Sequence, residues 1–489
     1  MTPLAWQRIG VFGLGRSGLA VARAAIRRGA AVRILDEAPT GHVAKPELVA
    51  EARDLGAEVA IGPIDPETVA AWANAVVVNP AVRKDHPVLL ELAARTDVIG
   101  EIEFASQISA APIVALTGTN GKSTTTVLTY LALRACGVEA VLCGNIFGSG
   151  YPEQPLTDAA DASHPRQVLV AEVSSFQLEW VRQFRPIAAG ITNITPDHLD
   201  RYASFAEYAA TKRRIWAAQG PGDFAICRAH DPNVPPPANG PTVWRFGPTA
   251  EEARLEDTQW SFFGQIVPIS GFPFPETHNR MNAAMAALLA QATLARVLPE
   301  RVATANAARV SSMMAMRSVY SGRFDPPAHT LVPEILDGLR EFRGLAHRME
   351  AVGARDGVRV INNSMCTNPD AVVKSVQAVR DSVHVILGGT NKGLDFLPLR
   401  SLLAQGRHRA YLFGRDAEDI RRVIDPTLPI YETMGDAFRA AAAQARAGEV
   451  IMLAPGCASS DQFRDFRHRG DVFRELAKEW LNELTARTD

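Results

Sequence analysis

The stretch "IVALTGTNGKSTTTV", residues 113 to 127, decides how this chain is read. An apolar run ends in Gly118, and Gly121 precedes a helix-forming tract from Lys122 to Ala135, so the segment predicts a buried strand, a glycine loop and a helix in that order. Such a loop turns the backbone N–H groups of Gly118, Thr119, Asn120 and Gly121 toward phosphate oxygens. Lys122 would neutralise the β and γ oxygens, and Ser123 or Thr124 would offer a hydroxyl to magnesium. Leu116 stands where the general G-x-x-x-x-G-K-[ST] pattern has its first glycine, so a narrower pattern is in play.

A second glycine loop, "VFGLGRSGLA", occupies residues 11 to 20. Gly13, Gly15 and Gly18, with Leu14, Arg16 and Ser17 between them, follow an apolar strand and open a helix, and Asp36 ends the next strand where a ribose-binding acid would stand. The spacing alone suits a dinucleotide. Its physics is broader, because glycines that let backbone approach a helix N-terminus admit any pyrophosphate, that of a UDP-sugar included.

Outward from these loops, a chain of 489 residues exceeds one hydrophobic core and predicts about three domains. The runs "IGVFGL", "AVRILD", "AEVAIG" and "NAVVVN" alternate with helix-like segments, a parallel doubly wound pattern, and a new unit starts near Pro112. The middle region adds the strands "QVLVAEVSS" and "IAAGITNIT", a helix from Phe205 to Trp216, and β-like segments over 223 to 268. Beyond Gly344, "VRVINN", "HVILGG", "AYLFG" and "VIMLAPG" restart the alternation. Charge nearly cancels, 51 basic against 53 acidic residues, so no global field recruits nucleic acid or an anionic membrane. The five cysteines form no C-x-x-C pair, and no run of about 18 apolar residues or leader-like N-terminus occurs, which predicts a cytoplasmic protein with buried thiols.

The loop "TGTNGKS", Thr117 to Ser123, resembles that of the Mur ligase family, and further motifs follow in the family's order across essentially the whole chain. They are "GNI" at 144 to 146, "EVSSFQLE" at 172 to 179, "NITPDHLDRY" at 193 to 202, "HNRMNAAMA" at 278 to 286, "GLAHRME" at 344 to 350, "LGGTNKGLDF" at 387 to 396 and "APGCASSDQFRDFRHRG" at 454 to 470. The resemblance implies three α/β domains: a Rossmann-like UDP-binding domain over 1–110, a central P-loop domain with a parallel sheet and a small β portion over 111–344, and a Rossmann-like C-terminal domain over 345–489. It implies a monomer that uses ATP and two magnesium ions to join D-glutamate to UDP-N-acetylmuramoyl-L-alanine through an acyl phosphate.

Residue by residue, the same resemblance assigns the first loop, Gly13 to Gly18 with Asp36, to the UDP substrate, oriented by Asn145. Glu172 and His198 match metal ligands beside Ser123, and Lys212 matches a lysine that serves the metal site as its carbamate. Asn279, Arg348 and Asn363 match positions on the adenine and ribose of ATP, with the third domain closing over the nucleotide. Thr367, Lys392, Ser459 and Phe466 match the glutamate-binding positions, where an ammonium and hydroxyls suit carboxylates.

Three places depart from the family pattern. The usual N-D-S-K-A-T-N reads "NNSMCTN" at 362 to 368, with Asn363 for the acid and Met365 for the lysine; Phe147 intrudes into "GNIFG"; and the tract around 310–335 is longer than usual. Other readings stay open on the sequence. L-glutamate or another amino acid could be the acceptor, since only pocket geometry separates enantiomers. A folylpolyglutamate synthetase shares the ATP chemistry but not the first domain, and "GLGRSG" alone would also suit a redox enzyme. A binding module without catalysis would explain Asn363 and Met365 but not the retention of Lys122, Glu172, His198, Lys212 and Lys392.

Overall fold

The computed structural model describes residues 4–37, 46–199, 201–274, 277–317, 331–391 and 393–482, with side chains described to residue 308 in the fourth of these ranges. Two compact units result: Met1–Phe147 with Tyr151–Arg343, and Gly148–Gly150 with Gly344–Asp489.

Among the described residues the first unit contains two sheets. In the N-terminal one, five parallel strands run in the order Glu58–Ile61, Ala31–Asp36, Arg8–Phe12, Ala75–Val78, Asp97–Gly100. Chain order reverses between Arg8–Phe12 and Ala75–Val78, and a crevice at such a switch point, outside the strand carboxyl ends, is where open α/β sheets take ligands. The "GLGRSG" loop leaves the first of those two strands.

The second sheet holds ten strands among the described residues. Its centre sets Ala188–Ile191, Ile113–Thr117, Gln167–Glu172 and Glu139–Gly144 side by side, all parallel. The first three of these strands are buried almost throughout, which explains why they read as unbroken apolar runs rather than as alternation, whereas Glu139–Gly144 is buried only in part. The predicted small β portion is an antiparallel extension over Ala253–Leu255, Gln259–Phe262 and Gln265–Pro268. Helix Lys122–Ala135 has the predicted bounds. The expected helix from Phe205 is α-helical to Arg213 and then tightens into a 3-10 turn, Arg214–Trp216.

One hydrophobic core joins the two sheets, with Ile102, Phe104 and Ile108 of helix Glu101–Ile108 packed among Leu156, Leu178 and Phe184. The same helix buries Glu103, whose carboxylate accepts the N–H groups of Arg182, Gln183 and Phe184 at 2.8–3.0 Å. A buried carboxylate is tolerable when backbone donors surround it in this way. The expected boundary at 110 therefore falls inside one compact unit, between that helix and strand Ile113–Thr117.

Among the described residues the second unit holds a six-stranded sheet, ordered Glu350–Arg355, Val358–Asn362, Val450–Leu453, Val383–Gly388, Arg409–Phe413, Ile430–Tyr431. Val372, Leu399 and Ile420 cover one face, and Phe438, Phe473 and Ala477 the other. The long tract noted at 310–335 falls partly in a helix, Pro299–Arg317; residues 318–330 lie outside the described residues.

Candidate active site

The glycine loop of residues 118–121 is held by its neighbours rather than by itself. Gly118 takes φ +152°, and a Cβ there would meet Thr192 Oγ1 at 1.8 Å, so only glycine fits. Asn193 clasps the loop twice, its carbonyl accepting Thr119 N–H at 2.8 Å and its Oδ1 accepting Asn120 N–H at 3.1 Å. Thr192 Oγ1 donates to Asn120 O at 2.6 Å. Thr119 Oγ1 meets Tyr208 OH at 3.1 Å. Gly121, left-handed at φ +82°, caps helix Lys122–Ala135, whose first turn buries Ser123 and Thr124. The free N–H groups and dipole of such a helix start favour an anion.

Two lysines converge on the loop. Lys122 Nζ donates to Gly118 O and Thr119 O, each at 3.0 Å. Lys212 Nζ donates to Gly118 O at 2.7 Å from a fully buried position. Burial, reinforced by the charge on Lys122, pushes the Lys212 ammonium down to about 6, so its amine is largely neutral at pH 7.

Glu172 ends strand Gln167–Glu172, in register with Leu116 of the strand that feeds the loop. Asn145 Nδ2 donates to Glu172 Oε1 at 2.8 Å, and Asn145 N–H donates to Glu172 O at the same distance. Glu172 Oε2 is buried and has no hydrogen-bond partner among the described residues. A buried carboxylate oxygen without a donor is costly unless a cation or its water satisfies it. Among the described residues no three His, Cys, Asp or Glu side chains gather into a metal cage. That donor set suits magnesium, which usually binds through one or two carboxylates plus substrate phosphates and waters. His198 is half exposed and left-handed at φ +54°, its ring 4.7 Å edge-on to Phe176. Asn279 stands one helical turn from Asn282, whose side chain lies against Gly121.

At the first glycine loop, Gly13 is left-handed at φ +101°, and a Cβ on Gly18 would fall 2.4 Å from Gly13 O. Leu14 N–H donates to Asp36 Oδ2 at 2.7 Å, so the acid braces the loop itself. Gly15 caps helix Arg16–Arg27, with Ser17 in its first turn, and the Arg16 guanidinium lies 4.9 Å over the Phe147 ring. Asn79, after strand Ala75–Val78, closes the loop from the other side of the switch point.

In the C-terminal unit, strands Val383–Gly388 and Val450–Leu453 are neighbours, and their following loops join by a Thr390–Ala458 bridge. Ser459 is buried beside that bridge, and Thr367 is half-buried in the loop after the adjacent strand Val358–Asn362. Lys392 lies outside the described residues. Phe466 opens helix Phe466–Asn482, its ring 6.3 Å edge-on to His347. Asn363 and Arg348 belong to this unit too.

Sequence reasoning missed several of these parts. Thr192, Asn193 and Asn282 hold the glycine loop of residues 118–121, yet Asn193 and Asn282 were legible only as members of quoted motifs and Thr192 only as part of the strand "IAAGITNIT", because a loop's clasps carry no spacing rule. Arg469 was also missed: it is wholly buried and donates to Ser364 Oγ and O and to Cys457 O at 2.9–3.1 Å. Within "RDFRHRG" it reads as one of several surface cations.

Two family models match the chain: "Mur ligase middle domain" over residues 116–290 and "Mur ligase, glutamate ligase domain" over 347–457. Over 96% of this chain and 97% of the relative, the sequence is 34% identical to a protein of Pelotomaculum thermopropionicum named UDP-N-acetylmuramoylalanine--D-glutamate ligase. The chain belongs to the Mur ligase family. A Burkholderia thailandensis protein of the same name is also 34% identical, over 96% of both chains. Among solved structures, the MurF ligase from Thermotoga maritima in complex with ADP superimposes with a TM-score of 0.51 at 14% identity, over 96% of this chain and 95% of that one. At that identity the likeness speaks to the fold, and it agrees with the α/β, largely parallel Mur ligase architecture found here.

Proposed function

We propose that this Mur ligase joins D-glutamate to UDP-N-acetylmuramoyl-L-alanine with cleavage of ATP, in the synthesis of peptidoglycan precursors. The observation that carries the ATP chemistry is the buried, unpartnered Glu172 Oε2 at a strand end in register with the phosphate-loop strand. The full-length likeness to enzymes named for D-glutamate supports the acceptor and the UDP substrate.

In this reading the substrate carboxylate attacks the γ-phosphorus, ADP leaves, and the glutamate amine then displaces phosphate from the acyl phosphate. Two anions must approach one another, so positioning and charge neutralisation supply most of the acceleration. The N–H groups of Gly118 and Gly121 and the start of helix Lys122–Ala135 hold the ATP phosphates, while those of Thr119 and Asn120, expected from the sequence to do the same, are taken by Asn193 and fix the loop's shape; Lys122 follows the charge onto the γ-phosphoryl oxygens. Glu172, with Ser123 or Thr124 and His198, would hold magnesium, which when bound would neutralise part of the phosphate charge. Lys212, neutral at pH 7, is the form of lysine that takes carbon dioxide; its carbamate would exchange a neutral amine for an anion at that place.

Gly13 to Gly18 with Asp36, Asn79 and Asn145 take the UDP substrate, Asn279 and Arg348 the nucleoside of ATP, and Thr367, Lys392, Ser459 and Phe466 the glutamate. The corresponding divisions are 1–110, 111–344 and 345–489. An 18O label in the substrate carboxylate tests the acyl phosphate: the account expects one labelled oxygen in the inorganic phosphate per turnover. Label retained wholly in the amide product and residual substrate would overturn it.

A further inference from the structure

The family's acid in the C-terminal motif is Asn363 here, and a ribose contact is the role expected of it. Its surroundings assign its polar groups elsewhere. Asn363 follows strand Val358–Asn362 and is 4% exposed. Its Oδ1 accepts Met349 N–H at 3.1 Å and its Nδ2 donates to Ser375 Oγ at 2.8 Å. Its backbone N–H donates to Leu453 O, and its carbonyl accepts Cys366 N–H, both at 2.9 Å.

The partner Met349 is unusual. It is left-handed at φ +46°, and so is His347 at φ +59°, so Arg348 sits between two non-glycine residues in a costly conformation. Such strain persists where neighbours over-determine it. His347 N–H donates to Glu350 Oε2 at 2.8 Å, Met365 N–H donates to His347 O at 3.0 Å, and Asn363 holds the other side through Met349. The Arg348 guanidinium then lies 3.4 Å, Nη2 to Sδ, from Met365.

We infer that Asn363 is a positioning residue, which fixes the backbone that aims Arg348 and makes no contact with the ribose; this rests on the ligase reading above. The amide is matched to its site. Ser375 Oγ already donates its proton to Ala371 O at 2.7 Å, so it can only accept from residue 363, and a carboxylate there would set oxygen against oxygen. Met365 fits the same arrangement, since a lysine would bring an ammonium against Arg348. The acid and the base of the family motif are thus replaced together, and the loop's net charge is kept.

The test compares wild type with Asn363→Asp, Asn363→Ala and Ser375→Ala in steady-state kinetics with ATP and 3′-deoxy-ATP, and in amide hydrogen exchange of residues 345–350. Expected are a KM for ATP raised about tenfold in both Asn363 variants, the scale of one lost buried hydrogen bond, an unaltered preference for ATP over the deoxy analogue, and faster exchange at Met349. A preference that collapses in Asn363→Ala would assign the side chain to the ribose and overturn the inference, as would unaltered exchange at Met349. If wild type forms no product, the ligase reading fails, while the exchange measurement still decides the restraint on Met349.

Discussion

At the scale of single residues, the account turns on Glu172 and Lys212. Glu172 keeps one oxygen on Asn145 and buries the other without a donor among the described residues. Glu172→Gln retains the shape and the Asn145 contact but gives up the anion. It is expected to lower kcat by about 10²–10³, the scale of removing one preorganised electrostatic group, and to raise the magnesium concentration needed for half-maximal rate; a magnesium dependence equal to wild type would dissociate Glu172 from the metal. Lys212 carries a sign that can be worked out. Its pKa falls from 10.5 to about 6 on folding, so between those values the unfolded chain binds a proton that the folded chain lacks, and stability rises with pH across that window. In bicarbonate-free buffer, Lys212→Met should therefore gain in Tm relative to wild type as pH falls from 10 to 7. Parallel Tm curves would mean that the amine is solvated in the fold. The sequence could name Lys212 only by its motif; that it is buried follows from where helix Phe205–Arg213 packs, which local spacing does not encode.

At the scale of elements, two strand–loop–helix units are proposed to do separate work, and one methyl group placed on each tests that division. A Cβ at Gly118 would collide with Thr192 Oγ1, and a Cβ at Gly18 with the carbonyl of Gly13. Gly118→Ala should abolish ATP binding in calorimetry and destabilise the fold by roughly 1–3 kcal/mol. Gly18→Ala should raise the KM for the UDP substrate about tenfold or more and leave that for ATP near wild type. A rise in both constants for Gly18→Ala would merge sites that the account keeps apart. These units were legible because glycine, lysine and an apolar strand each leave a local mark. Strand Asp97–Gly100 and the two-residue strand Ile430–Tyr431 were not, being short and indistinct from their flanks, so pairing rather than composition makes them strands.

At the scale of the whole molecule, the α/β class was readable from alternating apolar runs and agrees with the largely parallel sheets; the runs restart after Gly344, and Gly344–Asp489 falls with Gly148–Gly150 in the second compact unit. The sharing of one core by the first two sheets was not readable, because Phe104 and Phe184 meet only in three dimensions. Nor does any local pattern separate one enantiomer of glutamate from the other: both offer the same carboxylates, and only pocket geometry separates them. The central claim is tested most directly by mass-spectrometric detection of product from ATP, magnesium and UDP-N-acetylmuramoyl-L-alanine, with D- or L-glutamate in parallel. The account predicts an adduct one glutamate residue heavier, with D-glutamate alone, and one phosphate released per adduct; product with L-glutamate only, or with neither enantiomer, would contradict it.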